Sequence, residues 1–557
     1  MILHLALSVL SIVIGASLVA ATPTPVVVNR ASPTVQLDNA TVTGVAGQTT
    51  NSWLGIPFAQ PPVGSLRFQL PQPLPSYNAS FSATAYGPSC PQQAISVPLP
   101  SVLPAEAVSV IDNLTNWISG LTTPSSEDCL TINICAPAHA TPDSKLPVLA
   151  WIYGGGFEIG SSDTYSGTTI VDRAVELDVP AIYVSMNYRV TAFGFLASKE
   201  VQDAGVGNLG LQDQRLALKW IQQYISNFGG DPTKVTIWGE SAGAISVSLQ
   251  MLTNGGNTEG LFRAAFMQSG SPIPVGDITH GQPYYDFLVN ETGCASSDDT
   301  LECLRGVEYE TLMDAINQTP NIFDYQSLIL AWLPRADGVF LTDDPQQLVL
   351  QGSVADIPFV TGDCDDEGTL FSLSTLNITN SDDSGLYSWL KTYWLPNATE
   401  SQIEAAMALY PPDPADGSPF NTSDLYALTP EYKRIAAFQG DAIFQGPRRF
   451  FLEHQSSKQS TWAFLSKRFK SVPVLGSFHG TDTVNVYNGG DMADYLVRFA
   501  TNLDPNGDTG IEWPQYTVNS PNLLTFLDGL VPLEITQDTY RVEAMEGITN
   551  LTLEYPI

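Results

Sequence analysis

The apolar positions of this chain fall into two patterns. Short unbroken apolar runs recur, among them Leu146–Tyr153 (Leu-Pro-Val-Leu-Ala-Trp-Ile-Tyr), Val235–Trp238 and Ile357–Thr361. Their length and their β-branched and aromatic content predict buried strands. Elsewhere the period is helical. Ala244–Met251 reads as the start of a helix directly behind the Val235–Trp238 strand, and Arg449–His454 is amphipathic. Val108, Ile111, Leu114, Ile118 and Leu121 recur at spacings of three or four, which draws an apolar stripe along one further helix. The run Leu5–Ala21 is closed by Val19-Ala20-Ala21 and followed by Thr22-Pro23, the pattern of a secretory signal peptide cleaved after Ala21. A membrane anchor is the alternative, but the run is short for a span and lacks basic flanks. No low-complexity linker, charge block or internal repeat divides the rest of the chain, so residues 22–557 read as one large domain.

Composition narrows the partners. The 557 residues carry 23 Lys and Arg against 57 Asp and Glu, a formal net charge of −34. Charged residues total only 14 %, against roughly 25 % in an average domain, so the imbalance reflects scarce bases. Such a surface repels nucleic-acid backbones and anionic membranes. Hydrophobic residues at 43 % and aromatics at 10 % are enough for a large core. Sequons at Asn39, Asn78, Asn113, Asn290, Asn317, Asn377, Asn397, Asn421 and Asn550 fit a secreted glycoprotein, with any that fall in buried strands left empty. The six cysteines include no Cys-x-x-Cys pair and accompany no histidine cluster, so no metal site is expected. Disulfides are expected in an oxidising compartment. Cys294 and Cys303 would close a short loop and Cys90 and Cys129 a much longer one, but spacing leaves the connectivity open.

The chemistry concentrates in Lys234–Ala244. A strand (Val235–Trp238) runs into Gly239-Glu-Ser-Ala-Gly243 and then into a helix. That strand, sharp turn and helix are the context a nucleophile elbow needs, with flanking glycines admitting the close packing that projects the hydroxyl of Ser241. Upstream, Leu146–Tyr153 leads into Gly154-Gly155-Gly156-Phe157, where backbone N–H groups can turn toward a developing oxyanion. A phosphate loop is excluded, because Glu158-Ile159-Gly160 offers neither the P-loop lysine nor dinucleotide-motif spacing. The base is found by elimination among five histidines. His4 leaves with the signal peptide, His139 precedes the serine, and His280 leaves no room for an acid between. His454 lies on the amphipathic helix, which leaves His479, in a loop after the apolar run Val472–Leu475. The acid lies after the Ile357–Thr361 strand, where Asp363, Asp365, Asp366 and Glu367 all remain candidates.

These motifs resemble the type-B carboxylesterase/lipase family, and most closely secreted fungal lipases of the Candida rugosa type. Ser126–Asn133, Phe228–Gly243, Asp366–Thr369 and Gly476–His479 all match, so the resemblance covers essentially the mature chain. It implies an α/β-hydrolase fold, a large mostly parallel central sheet flanked by helices. It also implies Glu367 as the acid, oxyanion donors at the N–H groups of Gly155, Gly156 and Ala242, and disulfides Cys90–Cys129 and Cys294–Cys303. The pairs Arg67–Glu127 and Arg189–Asp213 correspond to structural ion pairs of the family, and Tyr153 stands where many members carry His but the fungal lipases an aromatic. The resemblance further implies that residues 91–128 form an apolar lid loop. The alternative is that their stripe packs permanently on the core.

The expected activity is hydrolysis of lipid esters (triacylglycerols, sterol esters) through an acyl-enzyme, without cofactor or metal. A general or aryl carboxylesterase without interfacial activation is the alternative. A non-catalytic adhesion module is disfavoured because Ser241, Glu367 and His479 are all present. A lid of this kind points to a lipid–water interface as partner, and to a monomer or a lid-mediated homodimer.

Overall fold

The computed structural model describes residues 30–95, 124–380 and 382–557. The proposed signal peptide, the apolar stripe Val108–Leu121 and the Asn113 sequon lie outside the described residues. A three-stranded sheet of β1 (Thr34–Leu37), β2 (Ala40–Thr43) and β5 (Phe81–Ser82) sits apart from an eleven-stranded sheet. The large sheet contains β3 (Val45–Ala46), β4 (Thr50–Pro57), β6 (Thr131–Pro137), β7 (Leu146–Ile152), β8 (Ile182–Met186), β9 (Gly230–Glu240), β10 (Ala264–Gln268), β11 (Phe359–Cys364), β12 (Thr461–Ser466), β13 (Asn522–Phe526) and β14 (Leu533–Gln537). Their order is β14-β13-β12-β11-β10-β9-β7-β8-β6-β4-β3. Pairing is parallel from β8 through β13 and antiparallel at both margins, as in the expected fold. Helices cover the sheet, so β6, β8, β10, β11 and β12 are buried along their whole length, their few polar side chains included.

Strand bounds depart from the sequence reading in an informative way. The strand expected at Ile357–Thr361 runs instead from Phe359 to Cys364, because Gly362 admits the Phe464 ring of β12 where a Cβ would stand 2.3 Å from it. The apolar run Val472–Leu475 is a turn with Val474 at φ 70°, and the strand that leads toward His479 is β12.

Both disulfides, Cys90–Cys129 and Cys294–Cys303, are formed, and Cys135 and Cys364 are buried free thiols. Arg67 meets Glu127 through two hydrogen bonds of 2.6 and 2.8 Å, and Arg189 meets Asp213 through two of 2.8 Å. The described sequon asparagines, Asn39, Asn78, Asn290, Asn317, Asn377, Asn397, Asn421 and Asn550, are all exposed, and none lies in a buried strand. Among the described residues no helix is long and apolar enough to cross a membrane.

Candidate active site

Parallel pairing brings the carboxyl ends of β7, β9, β10, β11 and β12 to one edge of the sheet, the usual location of sites in this architecture. Ser241 sits between β9 and the helix Ala242–Leu252 with φ 54° and ψ −127°, a conformation that costs a non-glycine residue about 1–3 kcal/mol. The surrounding packing enforces it. A Cβ on Gly239 would lie 2.4 Å from the Gly243 carbonyl carbon, and one on Gly243 would lie 2.0 Å from the Ile152 oxygen of β7. Strand and helix can approach this closely only through those two glycines. The Ser241 N–H is bonded to Gln268 O at 2.9 Å.

The glycine loop lies directly against the serine, since a Cβ on Gly154 would come within 2.7 Å of Ser241 Cβ. Gly155 and Gly156 adopt φ 106° and 63°, values that let their peptides turn without side-chain obstruction. The loop is anchored on both sides. Tyr153 and Tyr188 stack at 4.5 Å, and each hydroxyl donates to the other residue's carbonyl oxygen, at 2.9 and 2.8 Å. Glu158, whose carboxyl burial raises well above the ordinary range, accepts the Ile322 N–H at 2.9 Å.

His479 Nε2 stands 2.7 Å from Ser241 Oγ, and its Nδ1 stands 2.5 Å from Glu367 Oε2. Glu367 Oε1 accepts the Ser269 hydroxyl at 2.7 Å and the Cys364 N–H at 2.6 Å. Of the four acidic candidates, only Glu367 faces the imidazole. Asp363 pairs with Arg448 at 2.7 Å, Asp365 with Lys470 at 2.5 Å, and Asp366 with Lys470 at 2.6 Å. The other histidines among the described residues lie elsewhere; His454 Nδ1, for example, is 2.8 Å from Phe450 O on its own helix.

Two more carboxyls surround the imidazole. Glu240 Oε1 is 3.5 Å from His479 Nε2. Asp482 accepts from Gln268 Nε2 at 3.2 Å and from Ser269 Oγ at 3.5 Å. Burial alone would lower the imidazole pKa, but Glu367 first, then Glu240 and Asp482, outweigh it and raise it to about 9. Burial pushes Glu240 up to about 8 and Asp482 up to about 6, against the pull of His479. The walls are apolar: Phe371 and Phe444 flank the imidazole at 5.1 and 4.6 Å, and Ile322 and Leu330 face Gly156. Among the described residues no group of His, Cys, Asp and Glu is arranged to hold a metal ion.

Ser269 and Asp482 belong to no motif in the sequence. Ser269 has no local signal, because it meets Glu367 only through the β10–β11 pairing. Glu240 directly precedes Ser241 and Asp482 follows His479 by three residues, so proximity in sequence is the signal that marks both. An imidazole between a hydroxyl and a carboxylate, beside the backbone of a glycine turn, is an arrangement suited to acyl transfer.

A model described as the carboxylesterase family matches residues 31–542. The chain is 42 % identical over 536 residues to Lipase 2 of Diutina rugosa, covering 93 % of this chain and 96 % of that one. It is 42 % identical over 521 residues to secreted lipase 1 of Botryotinia fuckeliana, covering 90 % of each. It is 39 % identical over 543 residues to a secreted triacylglycerol lipase of Gibberella zeae, covering 93 % and 91 %. The crystal structure of Aspergillus niger EstA superposes with a TM-score of 0.78 at 28 % identity, covering 94 % of this chain and 99 % of that one. Alike in sequence and in architecture, the chain belongs to the type-B carboxylesterase family and is a carboxylic-ester hydrolase with the α/β-hydrolase fold.

Proposed function

We propose that the protein is a secreted lipase that hydrolyses long-chain lipid esters through a Ser241–His479–Glu367 triad, residues 22–557 acting as one catalytic domain. The observation that carries this reading is the continuous chain of hydrogen bonds from Ser241 Oγ through the imidazole to Glu367, set among aromatic and aliphatic walls. Names of relatives support the substrate class, since one is a triacylglycerol lipase and two are called secreted.

In this reading His479 Nε2 takes the Ser241 proton as Oγ attacks the ester carbonyl. The N–H groups of Gly155, Gly156 and Ala242 stabilise the tetrahedral oxyanion. His479 then protonates the departing alcohol, and water releases the acid from the acyl-enzyme by the same steps in reverse. Glu367 holds the Nδ1–H tautomer and stabilises the imidazolium. Ser269 and the Cys364 N–H keep Glu367 oriented by occupying its other oxygen.

A series of esters of rising acyl length, assayed below and above their solubility, tests this. Rates that climb with chain length and rise again at the emulsion support the lipase. A preference for short or aromatic acyl groups with no gain at the interface returns a general carboxylesterase.

A further inference from the structure

The residue before the proposed acid is more heavily engaged than the acid itself. Asp366 is fully buried, and both of its carboxylate oxygens are filled. Oδ1 accepts the Phe420 N–H at 2.8 Å and the Ser418 hydroxyl at 3.1 Å. Oδ2 accepts the Ser477 N–H at 2.8 Å and Lys470 Nζ at 2.6 Å. The Asp366 N–H in turn donates to Ser477 O at 3.0 Å, so the two peptides are tied in both directions. Ser477 lies two residues before His479, and Asp366 directly precedes Glu367. One side chain thereby joins the loop that carries the acid to the loop that carries the base.

Gly476 belongs to this junction. It adopts φ 61°, and a Cβ there would stand 2.3 Å from Asp366 Oδ2. Any larger residue would push the carboxylate away from the Ser477 N–H, which is a physical reason for the glycine in Gly476-Ser-Phe-His479.

Lys470 makes the junction electrostatically tenable. Its ammonium bridges Asp365 Oδ2 at 2.5 Å and Asp366 Oδ2 at 2.6 Å, and the position of its backbone is set by Asp528, which accepts the N–H groups of Phe469 and Lys470 at 3.1 Å. Burial first, and then the adjoining Asp365 carboxylate, push the pKa of Asp366 up, while Lys470 pulls it down. Without the ammonium, two carboxylates side by side in a buried site repel one another, and one of them takes a proton or turns away. The Ser477 N–H then loses part of its acceptor.

We propose that Asp366 and Lys470 are a positioning pair for His479: by fixing the Ser477 peptide they set the imidazole between Ser241 and Glu367. Neither touches the reacting atoms; they act through the backbone of the base's own loop. The inference rests on His479 being the base of the proposed triad.

The test uses the full-length enzyme with Lys470→Met and Lys470→Arg, and with Ser241→Ala as the reference. Lys470 is a quarter exposed and Asp366 is buried, so the lysine is the gentler site to alter. Each variant is assayed on a water-soluble short-chain p-nitrophenyl ester, and Ser241 is titrated with a p-nitrophenyl phosphonate: Ser241 Oγ, giving its proton to the same imidazole, attacks phosphorus and displaces p-nitrophenolate. For Lys470→Met we expect kcat to fall about tenfold with KM within about twofold, since misplacement of a catalytic group by about 1 Å can cost 10²-fold. Phosphonylation slows in the same ratio, and Lys470→Arg recovers most of both rates. The proposal is overturned by a folded Lys470→Met with unchanged kcat, by a fall in kcat without slower phosphonylation, or by equal losses in the Arg and Met variants. If Lys470→Met does not yield folded enzyme, Lys470→Gln, whose amide can still donate one hydrogen bond, carries the same comparison. An active Ser241→Ala would overturn the triad itself, whereas an inactive Ser241→Ala beside an unimpaired Lys470→Met removes only the positioning pair.

Discussion

The two halves of the site are held in place by different physics. On one side, Ser241 is held by backbone packing. Three glycines (Gly154, Gly239 and Gly243) let β7, β9 and the helix Ala242–Leu252 approach closer than any Cβ allows, and the strained serine is the product of that approach. On the other side, Glu367 and His479 are 112 residues apart and are held by polar side chains: Ser269, Asp366 and Lys470, with Arg448 behind them. A steric framework of the first kind fails abruptly when atoms are added. A polar framework of the second kind weakens by degrees and responds to charge and pH.

Substitutions can break or sharpen this contrast. The largest effect is expected from Ser241→Ala, which removes the proposed nucleophile: kcat should fall about 10⁵–10⁶-fold with thermal unfolding unchanged. Ester hydrolysis surviving in that variant would end the assignment. Glu367→Gln keeps the shape of the proposed acid but loses its charge and its hold on the tautomer, so about 10³–10⁴-fold in kcat should go, read in the same assay. Arg448→Met tests the support behind the acid. Its guanidinium is fully buried between Asp363 and Asp538, and stranding such carboxylates costs about 3–5 kcal/mol, measurable by denaturant unfolding. On the steric side, Gly243→Ala should cost about 3 kcal/mol or more, because the new methyl meets Ile152 O and overpacking a close contact is not relieved by a rotamer change. A mild, graded loss there would contradict the steric account.

The smallest expected effect is in the pH profile. The proposed base works only when Nε2 is unprotonated, and the carboxyls around it raise its pKa to about 9, so kcat/KM on a short-chain ester should keep rising above pH 6.5 into the alkaline range. Glu240→Gln removes one of those carboxyls. With less negative charge nearby the imidazole loses its proton more easily, so the rising limb moves to lower pH. Because Glu240 is itself held up to about 8 and is only partly ionised in this range, the shift should be under about one unit. A limb that stays put would remove Glu240 from the electrostatics of the site.

The same contrast explains how much of the site is legible in the sequence. The Ser241 elbow and the Gly154–Gly156 turn are local: strand, glycines and helix are contiguous, so motif and context appear in one stretch. His479 is reachable by elimination because the chain has so few histidines. The acid is not, since four carboxyls crowd one loop and nothing in their spacing separates them; only the family resemblance points to Glu367. In the folded chain Arg448 and Lys470 engage the three aspartates, which leaves the glutamate facing the imidazole.

Taken alone, the apolar period and backbone sterics determined the strand that delivers Ser241 and the glycine turn beside it, because both act over neighbouring residues, while the α/β-hydrolase architecture followed from the family resemblance. Tertiary structure decided the rest. Ser269 bonds to Glu367, the β11 strand extends to Cys364 under the Phe464 ring, and Lys470 closes on Asp366, each through partners at least 98 residues apart. Such contacts depend on which strands pair and in what register, and no local pattern encodes that.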